Sequence, residues 1–237
     1  MNLDERTRGF FRLPLETYGK SVLGTDLRYV PCKGKCELLV IAGIHGEEPE
    51  TIFLLSRVLR LISAPLERAA FVLCANPDGM TLGTRGNYNG VDLNRNFPVS
   101  VKPEGYVYSR SVLEAPRDTL LRSCSADGFP VEPEVLGLLD LLEKLKPEEI
   151  LSMHAPIGCV DAPERTSLVE GLCNVFNLPW MPDIGYPTPG SLGTWCKENM
   201  ASGGPKQCVT LELPRMSLEG LFDRFGTSLA EFLESKY

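Results

Sequence analysis

The chain has two histidines in 237 residues, and each stands at the end of an apolar run. His45 lies in Ala42-Gly43-Ile44-His45-Gly46-Glu47-Glu48-Pro49, and His154 follows Glu149-Ile150-Leu151-Ser152-Met153. A carboxylate three residues after a strand-end histidine, in the first turn of the next helix, can face the same pocket as the imidazole. Adding an imidazole from a second strand end gives two nitrogens and one oxygen, a set suited to catalytic zinc with a fourth position open. Each histidine is equally compatible with a hydrogen-bonded strand-end role that involves no metal.

Three further residues carry chemistry. Glu212 lies in Val209-Thr210-Leu211-Glu212-Leu213, where the apolar residues alternate with Thr210 and Glu212. A period of two puts this polar pair on one face, which is either a solvent face or a cleft. Arg85 and Arg95 fall in a Gly- and Asn-rich stretch. A lone arginine on a polar loop is by default a surface residue, but two of them in a protein of net charge −7 stand out as local anion recognition.

The elements that must position these residues alternate. The sequence predicts a strand over Glu37–Ile44, apolar on both faces, and a helix from about Pro49 to Leu61 with Ile52, Leu55, Leu59 and Ile62 on one face. A strand over Ala70–Ala75 ends in the turn signal Asn76-Pro77-Asp78-Gly79. From 80 to 131 the pattern is irregular, as expected of a loop region that builds a functional surface. Next come a helix from Glu132-Pro133 to Leu145, with Val135, Leu138, Leu139, Leu142 and Leu145 as its stripe, and a strand over Glu149–Met153. A helix over Thr166–Phe176, a Pro/Gly-rich loop, a short helix near Leu192–Asn199, a strand over Gln207–Leu213 and a helix over Ser217–Ser235 complete the chain. This order predicts one α/β domain with a largely parallel sheet, whose ligand site lies at the carboxyl ends of the strands.

Composition narrows the function classes. Apolar residues make up 43% and charged residues 23%, as in an ordinary soluble globular protein. The acidic balance, with no Lys/Arg cluster, predicts neither nucleic acid nor an anionic membrane as partner. The charged N-terminus lacks the apolar core of a secretory signal, and no window is long and apolar enough to span a bilayer. The eight scattered cysteines are expected to be free thiols in a reducing compartment, and Cys32-x-x-x-Cys36 lacks a second pair with zinc-site spacing.

Four segments in order resemble the zinc carboxypeptidase family: His45-Gly46-Glu47-Glu48, Gly90-Val91-Asp92-Leu93-Asn94-Arg95-Asn96-Phe97, Ser152-Met153-His154 and Thr210-Leu211-Glu212-Leu213. The resemblance spans residues 40 to 215 and implies a single domain over 1–237, a three-layer α/β/α sandwich with a mixed, largely parallel sheet. It implies one Zn2+ held by His45, Glu48 and His154, because His-x-x-Glu is the family spacing. Glu47 then reads as a carboxylate favoured by the helix N-terminus. Glu212 matches the general base, and Arg85 matches the arginine that stabilises the oxyanion. Asn94 and Arg95 match the pair that clamps the substrate's terminal carboxylate. Asp92 matches the partner that orients the His45 imidazole, and Tyr186 the mobile tyrosine that closes over substrate.

The compact length, Asn76–Gly79 and Gly185-Tyr186-Pro187-Thr188-Pro189-Gly190-Ser191 resemble the members of that family that act on cell-wall peptides in the bacterial cytoplasm. The implied substrate is the murein tripeptide, L-Ala-γ-D-Glu-meso-diaminopimelate, cut at its γ-D-glutamyl–diaminopimelate bond during peptidoglycan recycling. The protein is expected to be a monomer or homodimer. Two rival readings remain: a zinc deacylase acting on N-acyl amino acids, which the carboxylate clamp does not exclude, and a non-catalytic binding module. The latter predicts a missing ligand or base, and all four are present.

Overall fold

Strand β3 (Leu38–Ile41) is apolar at every position because helices cover both its faces. Leu38 and Val40 pack into one core cluster, while Leu39 and Ile41 pack into the other. The structure, a computed structural model, describes residues 10–100 and 131–237. Around β3 lie β1 (Glu16–Lys20), β2 (Asp26–Val30), β4 (Ala69–Val72), β5 (Glu149–His154), β6 (Ile157–Asp161), β7 (Trp180–Met181) and β8 (Gln207–Pro214). They form an 8-stranded sheet in the order β1-β2-β4-β3-β5-β8-β6-β7. The central run β4-β3-β5-β8 is parallel, and β2 and β6 pair antiparallel at its two sides.

One face is covered by α1 (Pro49–Leu59), α4 (Ser167–Phe176) and the C-terminal helical segment; the other by α3 (Pro133–Leu145) and α5 (Leu192–Asn199). The C-terminal segment is α6 (Leu218–Leu221), a π turn (Phe222–Gly226) and α7 (Thr227–Lys236). The result is a single-domain, three-layer fold. No helix among the described residues is long and apolar enough to cross a membrane.

Several expectations are revised. The strands expected over Glu37–Ile44 and Ala70–Ala75 are shorter, since the chain beyond Ile41 and Val72 turns to build the site. Helix α1 stops at Leu59 and buries Leu54 and Val58 with Leu55 and Leu59, while Ile52 is only half-buried. In α3, Leu141 takes the buried place expected of Leu139. Asn76-Pro77-Asp78-Gly79 opens a short helix, α2 (Pro77–Leu82), rather than a simple turn. Asn76 caps it, accepting a hydrogen bond from Gly79 N through Oδ1 at 2.9 Å. Strands β1, β2, β6 and β7 have no counterpart in the sequence reading. Of the irregular region expected over 80–131, residues 101–130, with Cys124, lie outside the described residues; the other seven cysteines are free thiols.

The loop after β3 reaches the site by pressing on α2. A Cβ on Gly46 would lie 2.0 Å from the Gly79 carbonyl carbon and 2.3 Å from Met80 N, so only glycine allows this approach. Gly46→Ala is expected to destabilise the fold by about 2 kcal/mol or more, read as a lowered thermal unfolding midpoint. An unchanged midpoint would show that the two backbones separate at little cost.

Candidate metal centre

The two histidines converge through the same ring atom. His45 follows β3 and His154 ends β5, and their Nδ1 atoms are 3.1 Å apart. Glu48, at the N-cap of α1, completes the group, with Oε1 2.8 Å from His45 Nδ1 and Oε2 3.1 Å from His154 Nδ1. All three side chains are buried, with one ligand atom from each within 4.8 Å of the others. No other such group of His, Cys, Asp or Glu occurs among the described residues.

The outer ring nitrogens have their own partners. His45 Nε2 lies 3.1 Å from Asp92 Oδ1, and His154 Nε2 lies 3.1 Å from Ser152 Oγ. That leaves both Nδ1 atoms and the Glu48 carboxylate facing one another in a buried space. Two imidazole nitrogens and a carboxylate oxygen suit a borderline divalent cation, so the residues present fit a metal.

Charges around this group compensate one another. Burial works to lower the His45 pKa, but the Glu48 and Asp92 carboxylates outweigh it and push it up to about 9. Burial likewise works to raise the Glu48 pKa, yet the two imidazoles hold it well below the usual carboxylate range. Arg85 stands beside the cluster, its Nε donating to Asp92 Oδ2 at 2.9 Å and Nη1 3.6 Å from Glu48 Oε1. Glu47 points toward Arg85 at 3.7 Å, and its buried Oε2 has no hydrogen-bond partner. Its environment is thus Arg85 and burial, rather than the helix N-terminus alone.

The cluster opens into a cavity of about 750 Å3, whose wall includes Glu212, Arg85, Asn94, Arg95 and Tyr186. Glu212 is the register partner of His154 on the adjacent strand, and both share a face of the sheet. That face is therefore a cleft, the choice the sequence left open. Burial raises the Glu212 pKa, His154 partly offsetting it, and Ile157 N donates to Oε2 at 3.3 Å. Asn94 and Arg95 belong to a 3-10 turn (Leu93–Arg95) capped by Asp92, whose Oδ1 accepts from Asn94 N at 2.9 Å. Leu192 N donates to Asn94 Oδ1 at 2.9 Å, and Arg95 Nη1 to Asn94 O at 2.6 Å. Gly190, at φ +75, lets its loop pack on this turn, since a Cβ there would lie 2.3 Å from Arg95 O. Tyr186 lies at the mouth and is half exposed.

The structure thus brings together every residue singled out from the sequence, and adds some. Ser152 Oγ reaches His154, and Ala155 N donates to Glu48 Oε2 at 3.3 Å. Asp161 lines the cavity, its carboxyl pushed up to about 6 by burial, Asp183 and Glu212. A backbone donor leaves no signal in side-chain identity, and Ser152 was legible only as lying two residues before His154 on the same strand face.

Comparison with known proteins follows the same geometry. Residues 35–127 match the family described as the succinylglutamate desuccinylase/aspartoacylase catalytic domain. Murein peptide amidase A of Escherichia coli K12 is 37% identical over 230 residues, covering 95% of this chain and 92% of the relative. Murein peptide amidase A of Vibrio campbellii is 40% identical over 215 residues, covering 90% and 84%. The crystal structure of murein-tripeptide amidase from Escherichia coli O157 matches with a TM-score of 0.85 at 36% identity, covering 98% of this chain and 96% of that one. Carboxypeptidase A from Helicoverpa armigera, 17% identical with a TM-score of 0.60 over 95% of this chain and 65% of its own, shares the fold.

The geometry separates the two adjacent glutamates. Glu48→Gln is expected to lose most of the metal retained after dialysis, as measured by elemental analysis, whereas Glu47→Gln keeps it. Asp92→Asn is expected to weaken metal affinity by roughly 10–100-fold through the loosened His45 ring. Equal metal retention in the Glu47 and Glu48 variants would remove Glu48 from the ligand set.

Proposed function

The chain belongs to the murein peptide amidase A family, and we propose that it hydrolyses the γ-D-glutamyl–meso-diaminopimelate bond of murein tripeptide with one Zn2+ held by His45, Glu48 and His154. The observation that carries this reading is the buried His45–Glu48–His154 cluster facing Glu212 across one cavity. The free thiols of the seven described cysteines accord with the proposed reducing bacterial cytoplasm.

Bound zinc supplies Lewis acidity at the scissile carbonyl and makes a water easier to deprotonate. The protein's own groups do the rest. Glu212 accepts the proton of the attacking water and passes it to the leaving amine; its burial raises its proton affinity toward that task. Arg85, held by Asp92, donates to the oxygen on which negative charge develops. Arg95 and the Asn94 amide hold the terminal α-carboxylate of diaminopimelate, and fixing that end aligns the amide with the base. Tyr186, at the mouth beside Arg95, closes over the bound peptide and excludes water.

The match to the desuccinylase/aspartoacylase family favours a second reading, a zinc deacylase for N-acyl amino acids. That match ends at residue 127 and includes His45, Glu48, Arg85, Asp92, Asn94 and Arg95, but neither His154 nor Glu212. The near full-length likeness to murein peptide amidases favours the peptide substrate. Zinc-loaded protein incubated with murein tripeptide should release free diaminopimelate. Hydrolysis of N-acetylaspartate or N-succinylglutamate with the tripeptide left intact would overturn the amidase reading.

Glu212→Gln is expected to lower kcat by roughly 10²–10⁴-fold while retaining bound metal; near-normal turnover would remove Glu212 as the base. Since the base must be ionised, activity falls as pH falls through its raised pKa. The acidic limb of kcat/KM should therefore lie above the ordinary glutamate value of about 4.3, as a pH–rate profile would show.

A further inference from the structure

Beyond the metal cluster, the cavity continues along the same face of the sheet. Adjacent strands place His154, Glu212 and Cys159 on one rung, and Ser152, Thr210 and Asp161 on the next. Residues two apart on a strand share a face, so Asp161 lies on the Glu212 side of the sheet, one rung further in. Ser152, Thr210 and Asp161 all line the cavity.

Among the charged side chains on this wall, Asp161 and Lys197 form no ion pair with any described residue, and neither does the exposed Glu164 at the rim. The Asp161 carboxylate is half-buried yet makes no hydrogen bond or ion pair with any described residue, and the groups electrostatically coupled to it are two acids, Asp183 and Glu212, rather than a cation. Lys197, an exposed residue on α5, lines the same cavity and likewise has no ion pair among the described residues. Lys206, also on the cavity wall, is by contrast held by Glu148 at 2.7 Å. Among the described residues, the cavity wall therefore offers a half-buried carboxylate and an exposed ammonium that make no ion pair, the complement of an amino-acid head carrying both charges.

We propose that Asp161, with Asp183 beside it, and Lys197 determine specificity by reading the ammonium and the carboxylate at the distal end of the terminal diaminopimelate. This assignment rests on the amidase reading above. Arg95 and Asn94 take the proximal α-carboxylate there, so the distal carboxylate requires a second cation. The dimensions agree. The two stereocentres of diaminopimelate are four carbon–carbon bonds apart, about 5 Å when extended, and the distal nitrogen lies one bond further. The rung bearing Asp161 lies about 7 Å from the rung bearing Glu212. Such a site also selects against analogues, since a ligand lacking the distal ammonium leaves the half-buried Asp161 carboxylate unsatisfied, and one lacking the distal carboxylate forgoes the attraction of Lys197.

The test uses three substrates of the form L-Ala-γ-D-Glu-X on zinc-loaded protein. X is meso-diaminopimelate, lysine (distal ammonium without carboxylate) or α-aminopimelate (distal carboxylate without ammonium). Asp161→Asn is expected to lower kcat/KM about 10- to 100-fold on the first two and to change it little on the third. Lys197→Met is expected to lower it on the first and third and to spare the second. For an analogue turned over too slowly, its Ki against the diaminopimelate peptide gives the same comparison. The spared substrate of each variant also shows that the fold and the metal centre are intact. A uniform loss on all three substrates, or no loss on any, would overturn the assignment. If the unmodified protein leaves the diaminopimelate peptide uncut, the amidase reading itself falls. If it cuts that peptide but the variants do not discriminate, only the assignment of Asp161 and Lys197 falls.

Discussion

The carboxylate of Asp92 is the interaction on which the rest of the site depends. Its Oδ1 meets His45 Nε2 and the backbone N–H of Asn94, and its Oδ2 takes the Arg85 guanidinium. A buried charge is costly unless it is paired and its lone pairs are filled, and this one is surrounded by donors. One anion thereby fixes an imidazole at the metal centre, an arginine beside it and the turn that presents Asn94 and Arg95. None of the three can shift without disturbing the others, so the short stretch from 85 to 95 moves as a unit with the metal centre.

That stretch is itself strapped to the scaffold by buried acids. Asn87 Nδ2 donates to Glu132 Oε2 at 2.8 Å and to Glu134 Oε2 at 3.0 Å, while its Oδ1 accepts from the backbone of Asn89 and Val91. Glu132 N donates to Asn96 Oδ1 at 2.7 Å. The start of α3 thus holds both ends of the 87–96 loop. Glu134 also accepts from Val22 N, and Asp78 from Ser21 Oγ and Leu23 N, so the β1–β2 hairpin is pinned to the same region. A loop that carries catalytic groups without regular structure needs such anchoring, because its own backbone supplies few hydrogen bonds.

What the sequence revealed follows the range over which each feature is determined. The apolar run of β3, the start of α1 at Pro49 and the span of α5 depend on neighbours within a few residues, and they were legible. Strands β1 and β2 were not: Glu16-Thr17-Tyr18-Gly19-Lys20 and Asp26-Leu27-Arg28-Tyr29-Val30 mix charged, aromatic and small residues. Only the pairing of β2 with β4, some forty residues away, makes them part of the sheet. Strand β6 is short, contains Gly158 at φ +84 and follows Pro156, so local propensity argues against it. Its absence from the sequence reading explains why the face carrying Glu212 stayed undecided. The antiparallel strand beside β8 is what turns that face from a surface into the floor of a cleft. Asp161 went unnoticed for the same reason, since its placement depends on that pairing.

This arrangement divides the labour along the chain. His45, Glu48, Arg85, Asp92, Asn94 and Arg95 come from the segment that also matches the desuccinylase/aspartoacylase family, and in the function proposed above they are a metal ligand pair, an oxyanion donor and a carboxylate clamp. Those functions serve any amide whose product carries an α-carboxylate, whether the substrate is an acyl amino acid or a peptide. Glu212, Tyr186, Asp161 and Lys197 come from the later half, on β8, β6, α5 and the loop before it, and they line the cavity in which the proposed reaction places the leaving amino acid. On this reading the later residues are the ones that meet the leaving group, while the clamp and the anionic hub serve both substrate classes. The proposed selectivity for a terminal residue with a charged distal head then falls to Asp161 on the inner rung of the sheet and Lys197 on α5 across the cavity wall.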